Sequence, residues 1–354
     1  MSQVKSENFD DAVILVTGGA GFVGSNLVKH LLANSRAKSV VVIDNYLSSE
    51  PTNLPVDSRL KVLVGSAADP RVIERLPQHI DFVFHLACYH GNQSSIHDPL
   101  ADHDHNSYPS LCLFDALSKR DEIRKVVYSA AGCAVAAKTF DEPAATSEDA
   151  PVSLFHDSPY SISKLIGEMY GNYYFSRFGM PFVKARFQNV YGPGEVLGAG
   201  QWRGTSDTIW RNVVPNFVWR SINNEPIPIQ NGGQSTRDFI YVADVVRGLV
   251  LCALRGVPGE SYNLGSGKET RILDLAELIV AHSESGSRLA VDSQARDWDK
   301  SGRRFADISK SKRELGFIAE TSIEAGLQNT IRWTRENFEV IESSIAKHLS
   351  HSKE

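Results

Sequence analysis

Two clusters of residues in this 354-residue sequence have the types and spacing to do chemistry. The first is Thr17-Gly18-Gly19-Ala20-Gly21-Phe22-Val23-Gly24, which follows the apolar run Val13-Ile14-Leu15-Val16 and opens a helix. Glycines at this spacing let the backbone turn tightly and approach a pyrophosphate, and the helix N-terminus adds unpaired N–H groups and positive potential. Asp44, 20 residues beyond Gly24 and at the end of the next strand, is placed to bind the ribose hydroxyls of an adenosine. A 2′-phosphate there would meet a negative charge, so the spacing favours NAD over NADP. The second cluster is Tyr160-Ser161-Ile162-Ser163-Lys164, which puts a phenol and an ammonium one turn apart on the same face of a helix. A cation beside a phenol favours the phenolate, and that suits Tyr160 to acid/base work.

These residues need a scaffold, and the pattern of short apolar runs supplies one. Strands are expected at Val13–Val16, Ser39–Ile43, Leu60–Val64, Phe82–Leu86, Lys125–Tyr128 and Phe182–Arg186, with helices between them at Phe22–Leu32, Ser107–Ser118 and Ser161–Phe178. Such alternation predicts an α/β fold, a Rossmann-type doubly wound parallel sheet covered on both faces. Beyond Phe187 the composition shifts to loops rich in glycine and tryptophan, followed by helices at Val242–Leu254, Ile272–His282 and Ile323–Asn337. The reading is a dinucleotide-binding domain over 11–187, with a stretch near 236–264 returning to it. A smaller mixed α/β lobe follows over 188–345, and the polar ends 1–10 and 346–354 read as flexible tails.

A net charge of −5 offers no footprint for nucleic acid or an anionic membrane, and no apolar run approaches the ~20 residues of a membrane span. The four cysteines show no metal-ligand spacing, so no metal is expected. No basic and apolar leader opens the chain. The expected setting is the cytoplasm, with no nucleic-acid or membrane partner.

Taken in order along the chain, Gly18, Gly21 and Gly24, Asp44-Asn45, His85-Leu86-Ala87, Asn106, Tyr160 and Lys164 resemble the extended short-chain dehydrogenase/reductase family. The resemblance continues through the segments 186–194, 236–244, 262–267 and 304–307, and points to the nucleotide-sugar epimerases and dehydratases, similar to UDP-glucose 4-epimerases. It implies NAD held by Gly18, Gly21, Phe22, Val23, Asp44, Asn45, Leu86, Ala87 and Lys164. It implies a nucleoside-diphosphate sugar as the substrate partner, and a homodimer formed through the helix that carries Tyr160. Asn189, Arg211, Arg237 and Arg304 are the expected substrate ligands; arginines can neutralise a diphosphate that the acidic chain as a whole repels. The implied reaction oxidises the sugar at C4 with Tyr160 as base and Lys164 on the nicotinamide ribose. Reduction from the opposite face then yields the 4-epimer, and NAD is regenerated in each turnover.

The chain departs from the family pattern beside the sugar. An ungapped alignment puts Ala131 where relatives carry a Ser or Thr that helps the tyrosine, and Ser129 replaces it only if the loop shifts. Cys133 stands where dehydratases carry Glu and some 3,5-epimerases a catalytic Cys. It reads either as an acid/base thiol or as a small packing residue. A thiol there would serve 3- or 5-epimerisation, dehydration or decarboxylation through the same 4-ketone, and a catalytically inactive NAD-binding regulator is a further reading that Ala131 keeps open. The tract 198–211, with Trp202, Arg203, Thr205, Ser206, Trp210 and Arg211, is expected either to cover the sugar or to pin its loop onto the second lobe. His90 reads as reaching the substrate or as surface.

Overall fold

The computed structural model of the chain describes residues 8–135, 139, 141–195, 210, 212–294 and 302–351. Its strands are β1 (Val13–Thr17), β2 (Ser39–Asp44), β3 (Leu60–Val64), β4 (Phe82–His85), β5 (Lys125–Ala131), β6 (Phe182–Phe187), β7 (Asn189–Tyr191), β8 (Ile227–Ile229), β9 (Thr236–Arg237), β10 (Phe239–Tyr241), β11 (Ser261–Leu264), β12 (Thr270–Arg271) and β13 (Leu289–Val291). The α-helices are α1 (Phe22–Asn34), α2 (Pro70–Ile73), α3 (Asn92–His97), α4 (Pro99–Asp102), α5 (Tyr108–Ser118), α6 (Gly132–Val135), α7 (Pro159–Phe178), α8 (Val213–Ile222), α9 (Val242–Arg255), α10 (Ile272–Ser283), α11 (Ile323–Glu336) and α12 (Phe338–His351).

One sheet of seven parallel strands runs in the order β11-β6-β5-β4-β1-β2-β3. Its strands are rich in Val, Ile, Leu and Phe because both faces are covered. Helices α1 and α9 bury Leu27, Leu31, Val245 and Leu249 on one face, and α5 and α7 bury Leu113, Phe114 and Tyr174 on the other. The order reverses between β1 and β4, and in doubly wound sheets ligands bind at the carboxyl ends of the strands beside that reversal. This is a Rossmann-type α/β fold with a smaller mixed α/β lobe.

The lobe begins one residue after the sheet: β6 ends at Phe187 and β7 starts at Asn189. Its core gathers Val214, Phe217 and Val218 of α8, Leu275 and Ile279 of α10, and Leu327 and Ile331 of α11, around Ile227 and Ile229. Between the layers, Arg186 of β6 and Glu168 of α7 form a buried two-pronged ion pair at 2.9 and 2.8 Å, and Arg186 Nη1 also donates to Glu148 O at 2.8 Å. Loss of either partner would strand a charge in the interior, at a cost of about 3–5 kcal/mol.

Order reaches into both stretches expected as tails, 1–10 and 346–354. Phe9 is buried, its ring edge-on to Phe82 at 4.9 Å between centroids, so order begins before β1. At the other end, helix α12 carries the chain through 346–351. Phe338 stacks on Trp219 at 4.6 Å, and Ile341 packs in a small cluster with Trp210 and Trp333. An aromatic contact holds Phe9, and the contacts of Phe338 and Ile341 anchor the start of α12, ahead of residue 346.

Candidate functional site

The glycine loop lies at the carboxyl end of β1, and its three key glycines play three different parts. Gly18 adopts φ +69°, and a Cβ there would fall 2.6 Å from the Ala87 backbone, so the turn and the β4 loop touch. A Cβ on Gly24 would fall 2.0 Å from Gly18 O, which closes α1 onto the loop. Gly21 is different. Its only near neighbour is Gly18 O at 3.3 Å, so a Cβ there would project into the open space where a pyrophosphate approaches. At the end of β2, the Asp44 carboxylate accepts from Ala20 N and Tyr46 N at 2.9 Å each and from Ser49 Oγ at 2.9 Å, which ties it to the same loop. These residues fit a dinucleotide.

A single cleft of about 1150 Å³ runs from this loop across the sheet edge into the second lobe. Gly18, Gly21, Phe22, Val23, Asp44, Asn45, Leu86, Ala87, Tyr160, Lys164, Asn189, Arg237 and Arg304 all line it. Arg211 lies outside the described residues, as do Trp202, Arg203, Thr205 and Ser206 and the side chain of Cys133, whose backbone is in α6. Trp210 is buried against Trp219 at 5.6 Å, which is the pinning role. His90 lines the cleft, with its ring 5.6 Å from that of Tyr160.

Tyr160 sits in the first turn of α7, which starts earlier than Ser161 because Ser158 caps it, accepting from Ser161 N at 3.3 Å. Lys164 Nζ lies 5.9 Å from the Tyr160 ring centre and donates to Ser129 O at 2.8 Å. The Ser129 hydroxyl donates to His85 O at 3.0 Å and accepts from Lys164 Nζ at 3.4 Å, so its proton is engaged at the end of β4. Ala131 itself ends β5 and lines the cleft.

Beneath the cleft lies a network that sequence reading did not resolve. Ser110 Oγ donates to Asn106 O at 2.6 Å, so it accepts from His85 Nε2–H at 2.9 Å. That fixes the tautomer: His85 Nδ1 accepts the Thr17 hydroxyl at 2.6 Å, and Thr17 Oγ1 takes Ala87 N–H at 3.3 Å. Burial, helped by the Lys164 ammonium, pushes the His85 imidazole down to about 3, so it is neutral. The Asn106 amide bonds both the N–H and the C=O of Tyr89 and reaches Asp102 Oδ1 at 2.8 Å. Burial pushes the Asp102 carboxyl up, while bonds from Ser163 and Asn106 pull the other way. No spacing rule marks Asp102 or Ser110; each becomes visible only when α4 and α5 pack on α7.

In the second lobe, Arg237 Nη1 donates to Thr236 O at 2.7 Å and Gly302 O at 3.2 Å, which aims a buried guanidinium at the cleft beside Arg304. A dinucleotide cradle, a tyrosine–lysine pair and two buried arginines therefore share one space. Residues 14–265 match the model of the NAD dependent epimerase/dehydratase family. The chain belongs to that family. It is an NAD-dependent enzyme of the nucleotide-sugar epimerase/dehydratase kind. The Bordetella bronchiseptica enzyme WbmF, solved in complex with NAD+ and UDP, is 48% identical, with 98% of each chain covered and a TM-score of 0.86. Epimerase Mth375 of Methanothermobacter thermautotrophicus is 36% identical over 95% of this chain and 96% of its own, with a TM-score of 0.86. The UDP-glucose 4-epimerase of Thermotoga maritima is 29% identical over 92% of this chain and 99% of its own, with a TM-score of 0.81. No helix among the described residues is long and apolar enough to cross a membrane.

Two outcomes follow for this epimerase/dehydratase. Gly21→Val fills the cradle without touching the core, so NAD affinity should fall roughly a hundredfold, about 2.7 kcal/mol, while the melting temperature barely moves. Calorimetric titration checks it, and unchanged affinity would refute the cradle. For His85, the unfolded chain binds a proton below the ordinary value of 6.5 that the folded chain refuses until about 3. Its stabilisation is therefore complete above 6.5 and is lost as pH falls toward 3. Urea unfolding at about pH 7 and about pH 5 should show wild type losing more stability than His85→Gln; equal losses would contradict a neutral buried imidazole.

Proposed function

We propose that the enzyme inverts a UDP-hexose at C4 through a transient 4-ketone. What carries this reading is the continuity of the cleft, which among the described residues joins Tyr160 and Lys164 to Arg237 and Arg304 in one space. NAD, when bound, supplies the hydride acceptor and donor that let the sugar be oxidised and reduced in turn. Gly18, Gly21, Phe22 and Val23 hold its diphosphate, Asp44 and Asn45 its adenosine ribose, and Leu86 and Ala87 the floor beneath it. Tyr160 removes the proton from the sugar hydroxyl and returns it. Lys164 exchanges its bond to Ser129 O for the nicotinamide ribose and favours the phenolate. Asn189, Arg237 and Arg304, with Arg211, bind the substrate diphosphate. The choice of uridine draws support from the WbmF chain, which was solved with UDP.

A second reading keeps the 4-ketone and moves the inversion to a neighbouring carbon, with Cys133 as acid/base. It is favoured by Ala131, which puts no hydroxyl where the family pattern has one. With UDP-glucose or UDP-N-acetylglucosamine as substrate, Tyr160→Phe should lower turnover on the order of 10²–10⁴-fold with NAD still bound. Cys133→Ala should leave turnover intact. Full activity in the tyrosine variant would sink both readings, and loss in the cysteine variant would favour the second.

The working form we propose is a cytoplasmic homodimer. Ile162, Met169 and Tyr173 lie exposed at i, i+7 and i+11 on α7, and Tyr108 is exposed on the adjacent α5, a single apolar face across two helices. Cys88, Cys112 and Cys252 are free, as thiols are in a reducing compartment. Sedimentation should give a dimer for the wild type and a monomer for Ile162→Arg/Met169→Arg. A monomeric wild type would overturn the assembly, and secretion of the native protein would overturn the location.

A further inference from the structure

Ala131 of β5 pairs with Phe187 of β6, so the next residues, Gly132 and Gln188, meet across the carboxyl edge of the sheet. A Cβ on Gly132 would fall 2.1 Å from Gln188 Nε2 and 2.9 Å from Phe187 O. On its other side, Gln188 N–H donates to Leu264 O at 3.1 Å, and a Cβ on Gly265 would fall 2.7 Å from Gln188 Cγ. The side chain thus occupies a slot that exists only because both flanking residues are glycine.

Gln188 lines the cleft together with Ala131, Tyr160 and Asn189, and its carboxamide has no hydrogen-bond partner among the described residues. Asp238, whose carboxylate borders the same slot beside Gly265, does not serve it. Asp238 accepts instead from Ser266 N and Oγ, Gly267 N and Ala306 N. The amide is only partly buried and open to solvent, so a ligand oxygen can replace water on it. A fixed donor aimed at an oxygen that gains charge during reaction is worth more than one recruited from solvent.

We propose that Gln188 makes the hydrogen bond to the reacting sugar oxygen that Ala131, lacking a hydroxyl, cannot make. The polar partner of Tyr160 has moved from the end of β5 to the end of β6, and the glycine pair at 132 and 265 is what admits it. This rests on the proposed nucleotide-sugar chemistry.

The test compares Gln188→Met, which keeps the length and removes the N–H, with Gln188→Met/Ala131→Ser, which restores a hydroxyl at the usual place. With the UDP-hexose that the wild type converts, Gln188→Met should lower kcat roughly 10²–10³-fold, the scale of a lost oxyanion donor, with NAD and UDP affinities unchanged. The added serine should recover at least about tenfold of that. A kcat within about twofold of wild type in Gln188→Met, or no recovery in the double variant, overturns the assignment and leaves the proposed function standing. If Gln188→Met loses NAD or fails to fold, a crystal structure of the wild type with NAD and the UDP-hexose decides. A Gln188 nitrogen within about 3.2 Å of the reacting oxygen supports the assignment, and a carboxamide turned from the sugar refutes it. A wild type inert toward every UDP-hexose would instead overturn the proposed function, and this inference with it.

Discussion

The cleft depends on how closely strand ends approach one another at the carboxyl edge of the parallel sheet. At Gly18 the first turn lies against Ala87 of the β4 loop, at Gly24 helix α1 closes on the same turn, and at Gly132 and Gly265 the ends of β5 and β11 flank Gln188. Each contact is too short for a side chain. Backbone therefore meets backbone or a single chosen side chain, and polar groups stay where a ligand can use them. The neutral His85 bridge belongs to the same edge, because it joins Thr17 of β1, Ser110 of α5 and, through Thr17, Ala87. A charged imidazole would break that bridge, and burial keeps it uncharged.

How much of this was legible beforehand follows from the range of the interactions. The glycine loop, Asp44 and the Tyr160–Lys164 pair are local: a turn type, a strand length and one helical turn set their geometry, so spacing alone announces them. The sheet itself was legible because strands buried on both faces must be apolar throughout. Gln188 was visible only as one letter of a longer motif, since its meaning comes from Gly132 and Gly265, 56 and 77 positions away. Asp102 is silent for the same reason. Phe9 and the start of α12 carry little periodic signal, because individual aromatic contacts, not periodic faces, hold them.

Charge is distributed with similar economy. The chain as a whole is acidic, yet Arg237 and Arg304 bring two guanidinium groups to the cleft, buried enough that solvent screens them little. A third arginine, Arg186, is neutralised by Glu168 and serves the scaffold. The division separates an arginine that holds the fold from two that line the same cleft as Tyr160 and the glycine loop.

The proposed inversion at C4 returns the hydrogen removed from that carbon to the same carbon. The direct measurement is turnover in D2O followed by NMR of the product. The account predicts an epimer inverted at C4 that carries no solvent deuterium on its ring carbons. Deuterium at C3 or C5 would contradict it and place the inversion at a neighbouring carbon.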